Sequence, residues 1–154
     1  MTAKQTRLET VLKYKHNDLV QYFAKSRNIP ATEAEELFVD LKRWLWLNGQ
    51  GGSRNFKVRF FRDCRIVDEF WHTFLLFTKD YVRFCERYFG RIIYHRPEPH
   101  MEAVKQEQRA KVNPDRLISD QLEWARRGME EVVKLLGTAV LIRWYQELPR
   151  RYGG

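Results

Sequence analysis

The residues best suited to chemistry gather between Val67 and Pro97, in the stretch VDEFWHTFLLFTKDYVRFCERYFGRIIYHRP. Asp68 and His72 are four apart, so on a helix their side chains lie on one face. A carboxylate so placed orients the imidazole, or joins it as a metal ligand. His95 comes one helix and one turn later, at a distance that lets it fold back against His72. His100 and Cys85 are further candidate ligands. Such a group would hold one transition metal ion and work through a metal-activated water. The plainer alternative is a hydrogen-bonded Asp68–His72 pair that fixes its helix, with Trp71 and Phe74 in the core and His95 packed near Gly90 or Tyr81. The spacing matches no standard zinc signature, and there is no CxxC pair.

Two further sets carry charge. Arg54, Lys57, Arg59, Arg62 and Arg65 interleave with Phe56, Phe60 and Phe61 and are opposed only by Asp63. Cations suit phosphates and flat rings suit unstacked bases, so this run points to a polyanion. Its alternative is a solvated edge with inward rings. Arg83, Arg87 and Arg91 recur every fourth residue among Tyr81, Phe84, Tyr88 and Phe89. They form a basic stripe, or a plain exposed helix face. The Cys85 thiol reads as a small buried hydrophobe before it reads as a nucleophile. The terminal Gly153-Gly154 reads as a frayed end.

The elements that must position these groups are helical. Leu8 to Ser26 carries Leu8, Val11, Leu12, Leu19, Tyr22 and Phe23 at helical spacing. Asn28 and Pro30 end it. Thr32 and Glu35 form a capping box for a second helix through Leu37, Phe38, Leu41, Trp44 and Leu45, which Gly49 stops. Asn48 to Asn55 is a loop, and residues 56–60 alternate as a short extended segment. A helix over Ile66 to Phe77 follows. Thr78 caps the next, Lys79 to Phe89, and Gly90 terminates it. Residues 101–111 form a short helix or none, and Asn113-Pro114-Asp115 a turn. Ser119 opens a long amphipathic helix with Leu122, Met129, Val132, Val133 and Leu136 on one side. Gly137 breaks that helix, and Pro149 stops a final one over Thr138 to Glu147. The expectation is one all-α domain of about six helices.

Composition agrees with a single packed domain. The chain has 154 residues, 44% of them hydrophobic and 14% aromatic, enough for a sizeable core. A net charge of +8 favours an acidic partner: nucleic acid, an anionic surface or an acidic protein. No apolar run reaches membrane-spanning length, and the first residues lack an apolar signal core. Cys64 and Cys85 fit buried thiols in a reducing, cytoplasmic compartment better than a disulfide framework.

The element Val67-Asp68-Glu69-Phe70-Trp71-His72, then Tyr81, Cys85, Phe89-Gly90, His95 and Pro97, resembles the glycine-rich-domain-containing protein-like family. In that family a Val-Asp-x-x-Trp-His element precedes an aromatic, a Cys, a Phe-Gly and a His near a Pro. The resemblance covers about a fifth of the chain. Phe74 stands where members often carry a second His after Trp-His, and Tyr94 where the later element is often His-His. The glycine-rich tail is missing, with only eight Gly in the chain.

The resulting expectation is a cytoplasmic binding or adaptor module. It would meet nucleic acid or an acidic protein through Arg54–Arg65 and the Arg83/Arg87/Arg91 stripe. Asp68, Trp71, His72, Tyr81, Cys85, Gly90, His95 and Pro97 would form its structural motif. The alternative is a metal-dependent enzyme or metal-binding protein, with one transition metal ion on Asp68, His72 and His95.

Overall fold

A computed structural model describes residues 6–49, 64–95 and 107–153. Among these every regular element is helical. The order is α1 (Leu8–Leu12), α2 (Asn17–Arg27), α3 (Ala31–Gly49), α4 (Arg65–Leu76), α5 (Thr78–Phe89), α6 (described over 107–112), α7 (Pro114–Leu136), α8 (Thr138–Ile142), a π-helical turn (Arg143–Glu147) and α9 (Leu148–Tyr152). The all-α expectation holds. Arg54, Lys57, Arg59, Arg62, the extended segment at 56–60, Pro97, His100 and Gly154 lie outside the described residues.

Helix α3 is the axis of the fold. It is buried almost all round, at Leu37, Phe38, Asp40, Leu41, Lys42, Trp44, Leu45, Leu47 and Gly49, as a helix enclosed by others must be. α1, α2, α4 and α7 pack against it. Aromatic rings fill the space between them. Phe70 of α4 stacks on Phe23 of α2 at 4.1 Å and on Phe38 of α3 at 5.4 Å between centroids.

The expected first helix is two, split at residues 13–16, because polar side chains take over the backbone groups there. His16 Nδ1 accepts the Leu19 N–H at 3.0 Å and so caps α2. That nitrogen is then unprotonated, and Nε2–H donates to Asp80 of α5 at 2.7 Å. The ammonium of Lys42 donates to the carbonyls of Leu12 at 3.0 Å and Tyr14 at 2.8 Å, which the end of α1 leaves open. Burial pushes Lys42 down to about 8, with Lys15 adding to the effect. Between that value and an unfolded value near 10.5, the unfolded chain holds the extra proton, so Lys42 makes stability rise with pH. The neutral amine still has two N–H groups for the two carbonyls. We expect stability relative to Lys42→Met to rise from pH 8 to 10, read by urea unfolding. A flat difference would refute the assignment.

Other boundaries move for local reasons. α3 starts at Ala31, where the Pro30 carbonyl accepts the Ala34 N–H, so Thr32 lies inside the first turn and not at the cap. Thr78 does not cap α5: its hydroxyl donates back to the Leu75 carbonyl and closes α4. Asn113-Pro114-Asp115 is the start of α7, with Asn113 accepting the Arg116 N–H and Pro114 in the first turn. Pro149 does not stop the last helix. It has no N–H to donate, and the π-helical turn just before it carries the chain on to Tyr152. Gly90 ends α5 as expected, at φ 68°. Along the apolar side of α7, Val132 is buried, whereas Ile118 and Leu122 are exposed.

Gly49, in the last described turn of α3, has no room for a side chain. A Cβ there would sit 2.7 Å from Ile93 Cδ1 and 2.8 Å from Phe89 Cδ1. Gly49→Ala is expected to cost about 1–3 kcal/mol by overpacking. A melting temperature unchanged from wild type would show that Ile93 and Phe89 yield freely.

Two salt-linked side chains close the far side of α3. Asp40 is fully buried. Arg143 Nε lies 2.9 Å from its Oδ2 and Nη2 lies 2.7 Å from the same oxygen, while Trp144 Nε1–H donates to Oδ1 at 3.0 Å. Burial pushes this carboxyl up, and Arg143 pulls it back. The π-helical turn is thereby pinned to the central helix.

A candidate metal centre on helix α4

The motif residues are brought together by one chain of contacts. α4 presents Asp68 and His72 one turn apart, with Phe70, Trp71 and Phe74 turned inward. α5 packs on α4 and supplies Tyr81, with Cys85 beside it. Trp71 Nε1–H donates to the Tyr81 hydroxyl at 3.0 Å, and that hydroxyl donates to the Ile93 carbonyl. The left-handed turn at Gly90 sends the chain back along α4, and the Ile93 tether fixes where His95 falls.

His95 lands on Asp68. Its Nε2 is 2.7 Å from Asp68 Oδ1, and its ring lies 4.3 Å from the Trp71 ring. His72 Nε2 is 3.6 Å from Asp68 Oδ2, and the two imidazole centroids are 4.2 Å apart. One carboxylate is thus flanked by two imidazoles, with the three ligand atoms within 4.8 Å of one another. The His95 side chain is only 17% exposed, whereas His72 is 56% exposed. The centre is walled on one side by Trp71 and open on the other.

The ligand chemistry fits a divalent transition metal. Neutral imidazole nitrogens and a carboxylate oxygen form the ligand set of zinc hydrolases and of non-haem iron sites. An ion between Asp68 and His95 would displace the proton their hydrogen bond now shares. Cys85 does not join them. It is fully buried, hydrogen-bonded within the Tyr81 and Ile93 cluster, and burial pushes its thiol up. That places it as a core residue and not as a nucleophile. Burial likewise raises the Tyr81 phenol, which stays a hydrogen-bonding strut. Removing that hydroxyl in Tyr81→Phe is expected to cost about 1–3 kcal/mol and to weaken metal affinity roughly tenfold or more, because His95 loses its tether. Unchanged affinity in a chelator competition would refute the tether.

The other candidates are placed as follows. Arg83, Arg87 and Arg91 are exposed along and just beyond α5. Arg87 sits 5.1 Å from the Tyr88 ring centroid, and Arg91 Nη2 donates to the Asn48 carbonyl at 3.3 Å. Arg65 is exposed at the first turn of α4. Sequence reasoning missed Asp40, Lys42 and His16. Asp40 had a signal: it falls on the same helical face as Leu37 and Trp44, where an acid is out of place.

An all-α domain whose aromatic core leads to an Asp/His/His cluster is the class of protein described. Residues 6–113 match the UCP032817-like family, and the chain belongs to it. No curated protein and no solved structure matches the chain.

Proposed function

We propose that the protein binds one divalent transition metal ion through Asp68, His72 and His95, with coordination positions left for water or a ligand. The convergence of three ligand atoms within 4.8 Å from two separate segments carries this reading. Three protein ligands with an open side is the arrangement of catalytic centres and not of closed structural ones. When bound, the metal supplies Lewis acidity and a water made acidic enough to attack at neutral pH. The chain's own part is to orient and to shield. Asp68 holds both imidazoles, Trp71 backs His95, and exposed His72 borders the open side. No described helix is long and apolar enough to cross a membrane. Two buried free thiols support a reducing, cytoplasmic setting. The Val67–Pro97 element supports kinship between this family and the glycine-rich-domain-containing proteins.

Elemental analysis of the purified, tag-free chain tests the metal. We expect about one equivalent of zinc, iron or a similar ion, lost in His72→Ala. A metal-free wild type that also fails to take up added ions would end this reading.

A second reading, binding of nucleic acid or an acidic protein, is supported by the exposed cations Arg65, Arg83, Arg87 and Arg91 and the net charge of +8. Arg54, Lys57, Arg59 and Arg62 would extend that surface. Its signature is an affinity for nucleic acid that falls steeply with salt.

A further inference from the structure

We infer that the metal-loaded centre takes a phosphate monoester, held as its dianion, with Arg65 as the anchoring cation; this rests on the metal reading above. Arg65, Asp68 and His72 fall at i, i+3 and i+7 on α4, which puts them on one face. Three residues advance a helix by about 4.5 Å, within the reach of an arginine side chain. Among the described residues none forms a hydrogen bond or ion pair with Arg65. Arg27, by contrast, is taken: its Nη1 lies 2.8 Å from Glu69 Oε2.

Charge then selects the ligand. A divalent ion on Asp68 and two neutral imidazoles leaves one positive charge, and Arg65 adds a second. A phosphate monoester carries close to two negative charges at neutral pH and offers three oxygens. One oxygen can meet the metal while others meet the guanidinium fork. A carboxylate or a phosphodiester brings one charge and leaves the centre half neutralised. The partial positive charge at the start of α4 acts in the same direction. The exposure of His72 leaves the ligand side open to water.

The test is calorimetric titration of the metal-loaded full chain with inorganic phosphate, acetate and dimethyl phosphate, with metal content measured on the same samples. Phosphate is expected to bind roughly tenfold or more tighter than the two monoanions. Arg65→Gln should keep its metal and lose about tenfold in phosphate affinity, and Arg65→Lys should recover part of it. Glycerol 3-phosphate and a phosphoserine peptide, if both bind, identify the group recognised as the monoester itself; if only one binds, they show which carrier it rides on. Equal binding of phosphate and acetate, or an Arg65→Gln variant that binds phosphate unchanged, overturns the inference while the metal reading stands. A chain that takes up no metal overturns both.

Discussion

Replacing Arg143 with Met is expected to destabilise the fold by about 3–5 kcal/mol at neutral pH. The side chain itself is partly exposed, at 22%, so its own burial is not the reason. The reason is Asp40, which is fully buried and keeps only the Trp144 N–H when the guanidinium is gone. An unpaired carboxylate in that position must either stay charged at high cost or bind a proton. The sign of the pH response follows. Burial already holds the folded-state Asp40 above its unfolded value, and removing Arg143 takes away the main opposing effect and raises it further, so the folded form binds the extra proton. The penalty is then full at neutral pH and shrinks as pH falls. Removing both charges together, as Asp40→Leu with Arg143→Leu, should recover much of the loss, because burying the pair already carried a desolvation cost. Urea unfolding of the three variants at two pH values measures this. A single-variant loss below about 1 kcal/mol would mean that the pair is no more than a surface contact.

The two histidines should separate under mutation. His72→Ala and His95→Ala are each expected to lower metal affinity by more than about a hundredfold, beyond the loss typical of outer-shell changes. Their effects on the metal-free protein differ. His72 is the more exposed, and its removal should change apo stability by no more than about 0.5 kcal/mol. His95 is hydrogen-bonded to Asp68 and packed on Trp71, so its removal should cost about 1–2 kcal/mol even without metal. Thermal unfolding with and without the ion reads both quantities, since a ligand that binds only the folded state raises the midpoint. Wild-type affinity in His72→Ala would remove that residue from the ligand set and leave any bound ion to Asp68 and His95.

Helical periodicity was enough to read the all-α class and the inward faces of α3, α4 and α5. The Asp68/His72/His95 group was also legible, because four-residue spacing and a glycine stop are local signals. What escaped was decided by partners distant in sequence. Asp40 needs Arg143 and Trp144 about a hundred residues away, and no local pattern announces such a pair. The break at 13–16 depends on Lys42 reaching back for carbonyls, so apolar spacing alone ran straight through it. Pro149 reads as a stop because a helix that absorbs a proline through a wider turn looks, in sequence, like one that ends. The start of α7 has a local signal, since Asn-Pro-Asp is as good a helix opening as it is a turn.

The buried Asp40 also ties together two stretches far apart in the chain. The family match ends at residue 113, yet the groups that neutralise Asp40 arrive at positions 143 and 144. Among the described residues, the matched stretch holds the carboxylate and the stretch after it supplies the groups bonded to it. Kin that retain an acid at the position of Asp40 should also retain a guanidinium in whatever follows, and the two sites should change together or not at all. A fragment trimmed to residues 6–113 would keep the buried carboxylate and lose Arg143 and Trp144, and is expected to aggregate.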